Sequence, residues 1–117
     1  MPGPQTAEPA VELCCPAMVG QPMSEEQAED AAVLLKALAD PIRLRLVSIV
    51  AAAPTGEICA CDLPAALGRS QAMISHHLTQ LVRSGVLTRE QRGKWAWFRL
   101  NADRVAQICD CLALTSC

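Results

Sequence analysis

Cysteine side chains carry most of the chemistry that this 117-residue sequence can offer. Two of the seven are adjacent, Cys14 and Cys15, and two more, Cys59 and Cys61, are separated by one residue within the segment EICACDLPAAL. An odd number of clustered cysteines does not fit a disulfide framework. In a reducing compartment such residues bind metals, take part in redox chemistry or pack inertly. A single cysteine usually packs, but two close pairs indicate ligand or redox thiols.

The overall composition favours a small helical protein. Hydrophobic residues make up 51% of the chain and aromatic residues only 3%, so the core must be built mainly from alanine, leucine, valine and isoleucine. Helix formers are abundant, which predicts a mostly helical fold. No apolar run approaches the roughly 20 residues of a membrane span. The first residues lack the basic and apolar regions of a signal peptide, so we expect a cytoplasmic protein without a membrane partner.

The net charge of −2 conceals a basic region in the second half of the chain. Between residues 69 and 104 there are seven basic residues and two acidic ones, an excess of five positive charges. The basic residues are Arg69, Arg83, Arg89, Arg92, Lys94, Arg99 and Arg104. Such an excess is what a nucleic-acid-facing surface needs, although a solvated basic face has the same composition.

The chain divides into an arm and one domain. Residues 1–22 contain five prolines and two glycines, which predicts a flexible N-terminal arm carrying Cys14 and Cys15. Residues 23–117 are long enough for one domain with a modest core. Ser24 begins a capping-box pattern, which predicts a first helix over 25–38. A second helix is predicted after Asp40, with a proline at its first position.

The following elements have the order of a winged helix–turn–helix. A third helix is predicted over 57–67, and Gly68 separates it from a fourth helix capped by Ser70. Alternating residues in 86–100 predict a β-hairpin, and Asn101 caps a last helix. The fold class is therefore mainly α with a β-hairpin, in which the fourth helix enters the major groove of DNA.

The fourth helix separates into an apolar and a polar side. Its apolar stripe is formed by Ile74, Leu78, Leu81 and Val82. His77 lies near this stripe, so we expect it to be packed rather than bound to DNA. Trp95, Trp97 and Phe98 are expected to pack the hairpin onto the body of the domain. Candidate contacts to bases and phosphates, including two at the hairpin tip, are Gln71, Ser75, His76, Thr79, Gln80, Arg83, Arg92 and Lys94.

Four motifs together resemble the ArsR/SmtB family of metal- and metalloid-responsive repressors. They are LADPIRLR, ICACDL, SQAMISHHLTQLVRSGVL and RGKWAWFRL, and the resemblance covers about residues 31–100. It implies a homodimer paired through its first and last helices, without enzymatic activity. Such a dimer binds double-stranded operator DNA and releases it when a metal or metalloid binds. The DNA contacts of the family map best onto Gln71, Ser75 and His76.

The C-x-C segment resembles the thiol-sensing type of this family. The resemblance implies As(III) or Sb(III) as the inducer, with no organic cofactor and no small organic substrate. On an ideal helix Cys59 and Cys61 point about 200° apart, so one ion could bind both only if the first turn were distorted. Some arsenic sensors carry a third cysteine where Pro64 stands here. Family members whose arms donate thiolates, often across the dimer, then imply a site drawn from Cys14, Cys15, Cys59 and Cys61. Which three thiols bind, and whether the site lies within or between subunits, is left open by the sequence.

Other interpretations remain open at this point. Cd(II) and Pb(II) also favour thiolates, and the same thiols could make a redox-sensing repressor. Cys109, Cys111 and Cys117 could form a second thiol site, although packing is the simpler interpretation for Cys109. The last helix has Asp103 but no following histidine, which predicts poor sensing of zinc, nickel or cobalt.

Overall fold

The computed structural model describes residues 22–112. Cys14 and Cys15 of the predicted arm lie outside the described residues, as does Cys117. The predicted mainly helical fold with a hairpin is confirmed. The elements, in chain order, are α1 (Glu25–Leu38), α2 (Pro41–Ala52), β1 (Glu57–Cys59), a 3-10 turn (Ala60–Asp62), α3 (Leu63–Leu67), α4 (Gln71–Arg83), β2 (Leu87–Arg92), β3 (Trp95–Leu100) and α5 (Ala102–Cys111).

Local capping bonds set the starts of the first two helices. The Ser24 hydroxyl accepts the Gln27 N–H at 3.1 Å, and the Gln27 side chain accepts the Ser24 N–H at 2.8 Å. This is the predicted capping box. The Asp40 carboxylate accepts the N–H groups of Ile42 and Arg43 at 2.8 and 3.2 Å. The bond from the Arg43 N–H is the main cause of the lowered pKa of Asp40.

The predicted third helix is wrong over its first half. Glu57–Cys59 is a β-strand, the 3-10 turn follows, and the α-helix covers only Leu63–Leu67. Pro64 explains part of this difference, since a proline inside a helix removes a backbone hydrogen bond and clashes with the preceding turn. In the observed helix Pro64 stands in the first turn, where it is tolerated.

A three-stranded antiparallel sheet has the strand order β1-β3-β2. β2 and β3 form the predicted hairpin, with Gly93 at its turn in the left-handed region (φ 61°). β1 pairs with the other edge of β3, so that Cys59 is opposite Trp97 and Glu57 is opposite Arg99. The hairpin is therefore joined by backbone hydrogen bonds to the segment that carries the C-x-C pair.

The core is aliphatic and lies between the helices and the sheet. The predicted apolar stripe of α4 packs into it, and its members Ile74, Leu78 and Leu81 are buried. The largest fully buried side chains are Leu34, Leu46, Leu63, Ile74, Leu81, Leu87, Val50 and Val86. None of the helices within residues 22–112 is long and apolar enough to cross a membrane.

α1 and α5 are joined by a bidentate ion pair. The Arg104 guanidinium donates to the Asp30 carboxylate at 2.9 and 3.1 Å and to the Ser84 carbonyl oxygen at 3.4 Å. The hydrogen bond from Arg104 lowers the pKa of Asp30. Arg104 therefore joins α1 to α5. Its charge is part of the basic excess in the sequence, but it is paired with a carboxylate of the protein.

Candidate DNA-binding surface and thiol site

One side of α4 faces the hairpin across a groove. Gln71, Ser75, Thr79 and Arg83 are spaced four residues apart along this side and are exposed. The Thr79 hydroxyl donates to the Ser75 carbonyl oxygen at 2.9 Å. The groove has a volume of about 390 Å³, and these four side chains line it. Lys94 of the hairpin tip lines the same groove, so the structure brings five of the eight predicted DNA contacts into one place.

The other polar residues of α4 lie on its neighbouring side. His76 is exposed, and Gln80 lines a shallower groove with Lys36 and Arg43. His77 is buried, and its Nδ1 accepts a hydrogen bond from the Arg43 Nε–H at 3.1 Å. The prediction that His77 is packed is therefore confirmed.

The two faces of the hairpin carry different chemistry. Because side chains alternate along a strand, Arg89 and Gln91 of β2 point to the groove, which Lys94 at the hairpin tip also lines. Arg89 donates to the Gln91 side chain. Neither Arg89 nor Gln91 was among the candidate contacts from sequence. The alternation along β2 was the signal that could have identified them.

Arg92 lies on the opposite face of the hairpin and is bonded to two carboxylates. Its guanidinium donates to Glu57 twice, both bonds at 2.8 Å, and to Glu90 at 2.7 Å. It also lies 4.8 Å from the centre of a ring of Trp97. The charge of Arg92 is therefore paired within the protein, and its contact with DNA stays a prediction.

Glu57 is the centre of this ion cluster. Besides its two bonds to Arg92, its carboxylate accepts a hydrogen bond from Arg99 at 3.1 Å. We call Glu57, Glu90, Arg92 and Arg99 the Glu57 junction. The bonds from Arg92 and then Arg99 lower the pKa of Glu57 to about 2. The pKa is depressed on folding, so the ion pairs are fully present above the usual glutamate pKa and are lost as the pH falls towards 2.

The three aromatic residues of β3 differ in exposure. Phe98 is buried and Trp97 is half-buried, as expected for residues that pack the hairpin onto the domain. Trp95 is 40% exposed and stands beside Lys94, whose Nζ is 5.6 Å from a ring centre. The packing prediction is therefore wrong for Trp95, which stays exposed where it lines the groove between the hairpin and α4.

Cys59 and Cys61 are brought together by the junction of β1 and the 3-10 turn. Their Cα atoms are 5.2 Å apart and their Sγ atoms are in disulfide-bonding contact. The Cys61 N–H also donates to the Cys59 sulfur at 3.2 Å. The expectation that the two side chains point about 200° apart is wrong, because neither residue lies on an α-helix. Both sulfur atoms can therefore face one ion without distortion of a helical turn.

The pair has one protected and one accessible sulfur atom. Cys59 is only 3% exposed, whereas Cys61 is exposed. Among residues 22–112, no three histidine, cysteine, aspartate or glutamate side chains are grouped so that they could hold a metal ion. The described part of the chain thus supplies two soft donors at this place. The predicted partners Cys14 and Cys15 lie outside the described residues.

The thiols of α5 are separate from this pair. Cys109 is exposed and Cys111 is half-buried. The prediction that Cys109 packs is therefore wrong within one protomer. Asp103 is the residue of the last helix that the sequence analysis considered for a zinc, nickel or cobalt site. It is exposed at the start of α5.

Comparison with known proteins identifies the family. Residues 40–89 match the family described as bacterial regulatory protein, arsR family. The chain is 37% identical over 82 residues to the arsenic resistance transcriptional regulator ArsR2 of Pseudomonas putida, and the match covers 70% of both chains. The chain belongs to the ArsR family. The resemblance found in its motifs is thereby confirmed, and so is the prediction that it is a regulator rather than an enzyme.

Two further proteins are similar to this chain. The arsenical resistance operon repressor of Escherichia coli is 46% identical over 68 residues, which are 58% of this chain and 56% of that protein. A homodimeric winged helix–turn–helix DNA-binding domain from Mycobacterium bovis has a TM-score of 0.61 and 26% identity, covering 79% of this chain and 83% of that one. In this ArsR-family chain α3 and α4 are therefore the helix–turn–helix, and the β2–β3 hairpin is the wing.

Proposed function

We propose that the protein is a homodimeric repressor that binds operator DNA and releases it when As(III) or Sb(III) binds its cysteine thiolates. The adjacent sulfur atoms of Cys59 and Cys61 are the observation that carries this proposal. Cys59 is the last residue of β1, which is hydrogen-bonded to the wing, and Cys61 lies in the 3-10 turn that follows. A ligand held there acts on the sheet from which the wing is built.

The DNA-binding surface in this proposal is the groove and the adjoining side of α4. At 13 residues, α4 is long enough to lie in a major groove, with Gln71 in its first turn positioned to read a base edge. Arg83, Arg89 and Lys94 bring positive charge to the groove walls. His76 and Gln80 extend the surface along α4. Arg92 acts within the Glu57 junction rather than on a phosphate, since both of its carboxylate partners are on the protein.

Arg89 and Arg92 form a matched pair for testing which face of the wing meets DNA. Replacing Arg89 with alanine is expected to lower operator affinity and to reduce the slope of log affinity against log salt by about one phosphate contact. Arg92→Ala is expected to leave that slope unchanged, because the charge it removes is already neutralised. Fluorescence anisotropy with labelled operator at several salt concentrations measures both slopes. A smaller slope for Arg92→Ala, together with an unchanged slope for Arg89→Ala, would contradict this assignment.

The inducer is assigned from the chemistry of the donors. Thiolates favour soft, thiophilic ions over the hard ions that prefer oxygen ligands. Cys59 and Cys61 would hold As(III) or Sb(III) together with Cys14 or Cys15 of the arm. The two relatives compared above are named for arsenic or arsenical resistance, which favours a metalloid. Cd(II) and Pb(II) fit the same sulfur donors and are the alternative inducers.

Exposed apolar side chains on α1 and directly after α5 support the proposed dimer. Val33 of α1 is 52% exposed and Leu112, directly after α5, is 54% exposed. Leu35 of α1 is also exposed. A second protomer would cover these side chains, and the similar Mycobacterium bovis domain is homodimeric. Two protomers would place two copies of α4 on one palindromic operator.

A titration of the protein–operator complex tests the proposal. Sodium arsenite is expected to lower operator affinity about 30- to 150-fold, which corresponds to about 2–3 kcal/mol of coupling. Zinc sulfate is expected to have little effect, and the binding curve should show two protomers per operator. Release by Cd(II) or Pb(II) but not by arsenite would favour the alternative inducers. Retention of the operator with every one of these ions would refute induction by a thiol-bound metal or metalloid.

A redox-sensing repressor is a second candidate, favoured by the contact between the two sulfur atoms. In that mechanism the two thiols are oxidised by a peroxide to one disulfide, and the peroxide is reduced to two molecules of water or to water and an alcohol. Hydrogen peroxide would then release the operator and dithiothreitol would restore binding. Adding hydrogen peroxide as a further arm of the anisotropy titration therefore distinguishes the two candidates.

A further inference from the structure

β1 links the thiol pair to the wing over a very short distance in sequence. Cys59 is its last residue and Glu57 its first, and both pair with β3. Ala60, the residue between the two cysteines, lines the groove that α4 forms with the wing. A displacement of the thiol pair is therefore passed directly to the sheet and to the wall of the groove.

The Glu57 junction spans the sheet from one edge to the other. In the order β1-β3-β2 the two outer strands are not neighbours. The bidentate bond from Arg92 of β2 to Glu57 of β1 nevertheless connects them, passing beside Trp97 of the central strand. Bidentate arginine–carboxylate bonds fix orientation as well as distance. The junction thus fixes β1 relative to the strand whose other face carries Arg89 and Gln91.

We propose that Glu57 is a positioning residue that transmits the state of the thiol pair to the wing. When no ion is bound to Cys59 and Cys61, the bond from Glu57 to Arg92 holds the wing at the distance from α4 that DNA binding requires. When Cys59 and Cys61 are drawn towards a third thiolate, β1 moves with them and this constraint on β2 is lost. The proposal rests on the proposed function, because it assumes that a thiol ligand releases the operator.

Glu57 is suited to this role because it connects elements without being needed for the core. The Glu57 side chain is 18% exposed and that of Arg92 38%. A partly exposed ion pair of this kind contributes little to folding stability, and the fully buried residues lie elsewhere. The effect of removing its charge should therefore appear in the coupling between ligand and DNA more than in the stability of the fold.

The chain offers two matched controls for a charge-removing substitution. Asp30 accepts a bidentate bond from Arg104, but this pair joins α1 to α5 and touches neither the wing nor the thiol pair. Glu90 bonds the same Arg92 guanidinium from within β2, so it makes no connection to β1. Asp30→Asn and Glu90→Gln thus remove an arginine-bound carboxylate without cutting the link across the sheet.

The test compares operator affinity with and without saturating sodium arsenite, using anisotropy, in the intact protein and in Glu57→Gln, Glu90→Gln and Asp30→Asn. The ratio of the two affinities is expected to fall at least tenfold in Glu57→Gln and to stay within about threefold of the intact protein in both controls. Arsenite binding to DNA-free Glu57→Gln should change little, which shows that the thiol site itself is intact. Arg92→Lys, which keeps the charge but not the bidentate bond, should lower the ratio as well.

The outcomes separate this inference from the proposed function. An unchanged ratio in Glu57→Gln, with normal release of the intact protein, overturns the inference and leaves the proposed function standing. An equal loss in Asp30→Asn also overturns it, since any lost ion pair would then have the same effect. A ratio near one in the intact protein overturns both. Should Glu57→Gln not fold, Arg92→Lys decides by the same criteria.

Discussion

Replacement of Cys59 with serine is expected to leave operator binding intact and to abolish its release by arsenite. The sulfur of Cys59 is buried at the end of β1 and touches the sulfur of Cys61, so no other described thiol can take its place. A serine oxygen is a hard donor that soft ions bind poorly. The hydroxyl can still accept the N–H of Cys61, as the sulfur does, so the turn should be retained.

The measurement is the ratio of operator affinities without and with arsenite. We expect this ratio to fall from about 30–150 to near one, while affinity without arsenite changes less than about threefold. Cys109→Ser is the matched control, because Cys109 is an exposed cysteine on α5 and should keep the full ratio. Loss of DNA binding in Cys59→Ser would instead assign the residue a structural role.

Elements determined by local interactions were predicted well from the sequence. The capping box of Ser24 and Gln27 was recognisable because both partners lie within one turn. The buried side of α4 followed from its apolar periodicity, and the hairpin followed from alternation around Gly93. In each case the residues that decide the structure are close together in the chain.

β1 could not be predicted in the same way because its partner is distant in sequence. Its residues pair with β3, and the register joins Glu57 to Arg99 and Cys59 to Trp97. Local helix propensity favoured a helix over this segment, and pairing with β3 prevailed over it. The position of Pro64 was nevertheless a usable signal that no helix covers the whole of 57–67.

The role of Arg92 was hidden for a related reason. A sequence shows that Arg92 stands next to the hairpin turn, but not that Glu57, 35 residues away, reaches across β3 to bond it. Charge excess alone therefore overstates the unpaired positive charge, since Arg92, Arg99 and Arg104 all have carboxylate partners in the protein. The groove-facing charges are Arg83, Arg89 and Lys94.

Substituting serine for both Cys14 and Cys15 is expected to weaken arsenite binding at least about 100-fold, or about 2.7 kcal/mol, while operator affinity without arsenite is unchanged. Within residues 22–112, Cys59 and Cys61 have no third acidic, histidine or cysteine ligand grouped with them. Pro64, which offers no donor atom, stands where the arsenic sensors that this segment resembles carry a third cysteine. Three-coordinate As(III) therefore requires a sulfur from another part of the chain.

Arsenite affinity can be measured by competition with a small dithiol, read from the ultraviolet absorption of the arsenic–sulfur bonds. The control is the double substitution Cys109→Ser with Cys111→Ser, which removes the other C-x-C pair while leaving the arm and β1 unchanged. It should retain the full affinity, since the α5 thiols are separate from the β1 pair. A large loss in this control and none in the arm variant would move the inducer site to α5. Release would then have to act through the helix that Arg104 ties to α1, rather than through β1 and the wing.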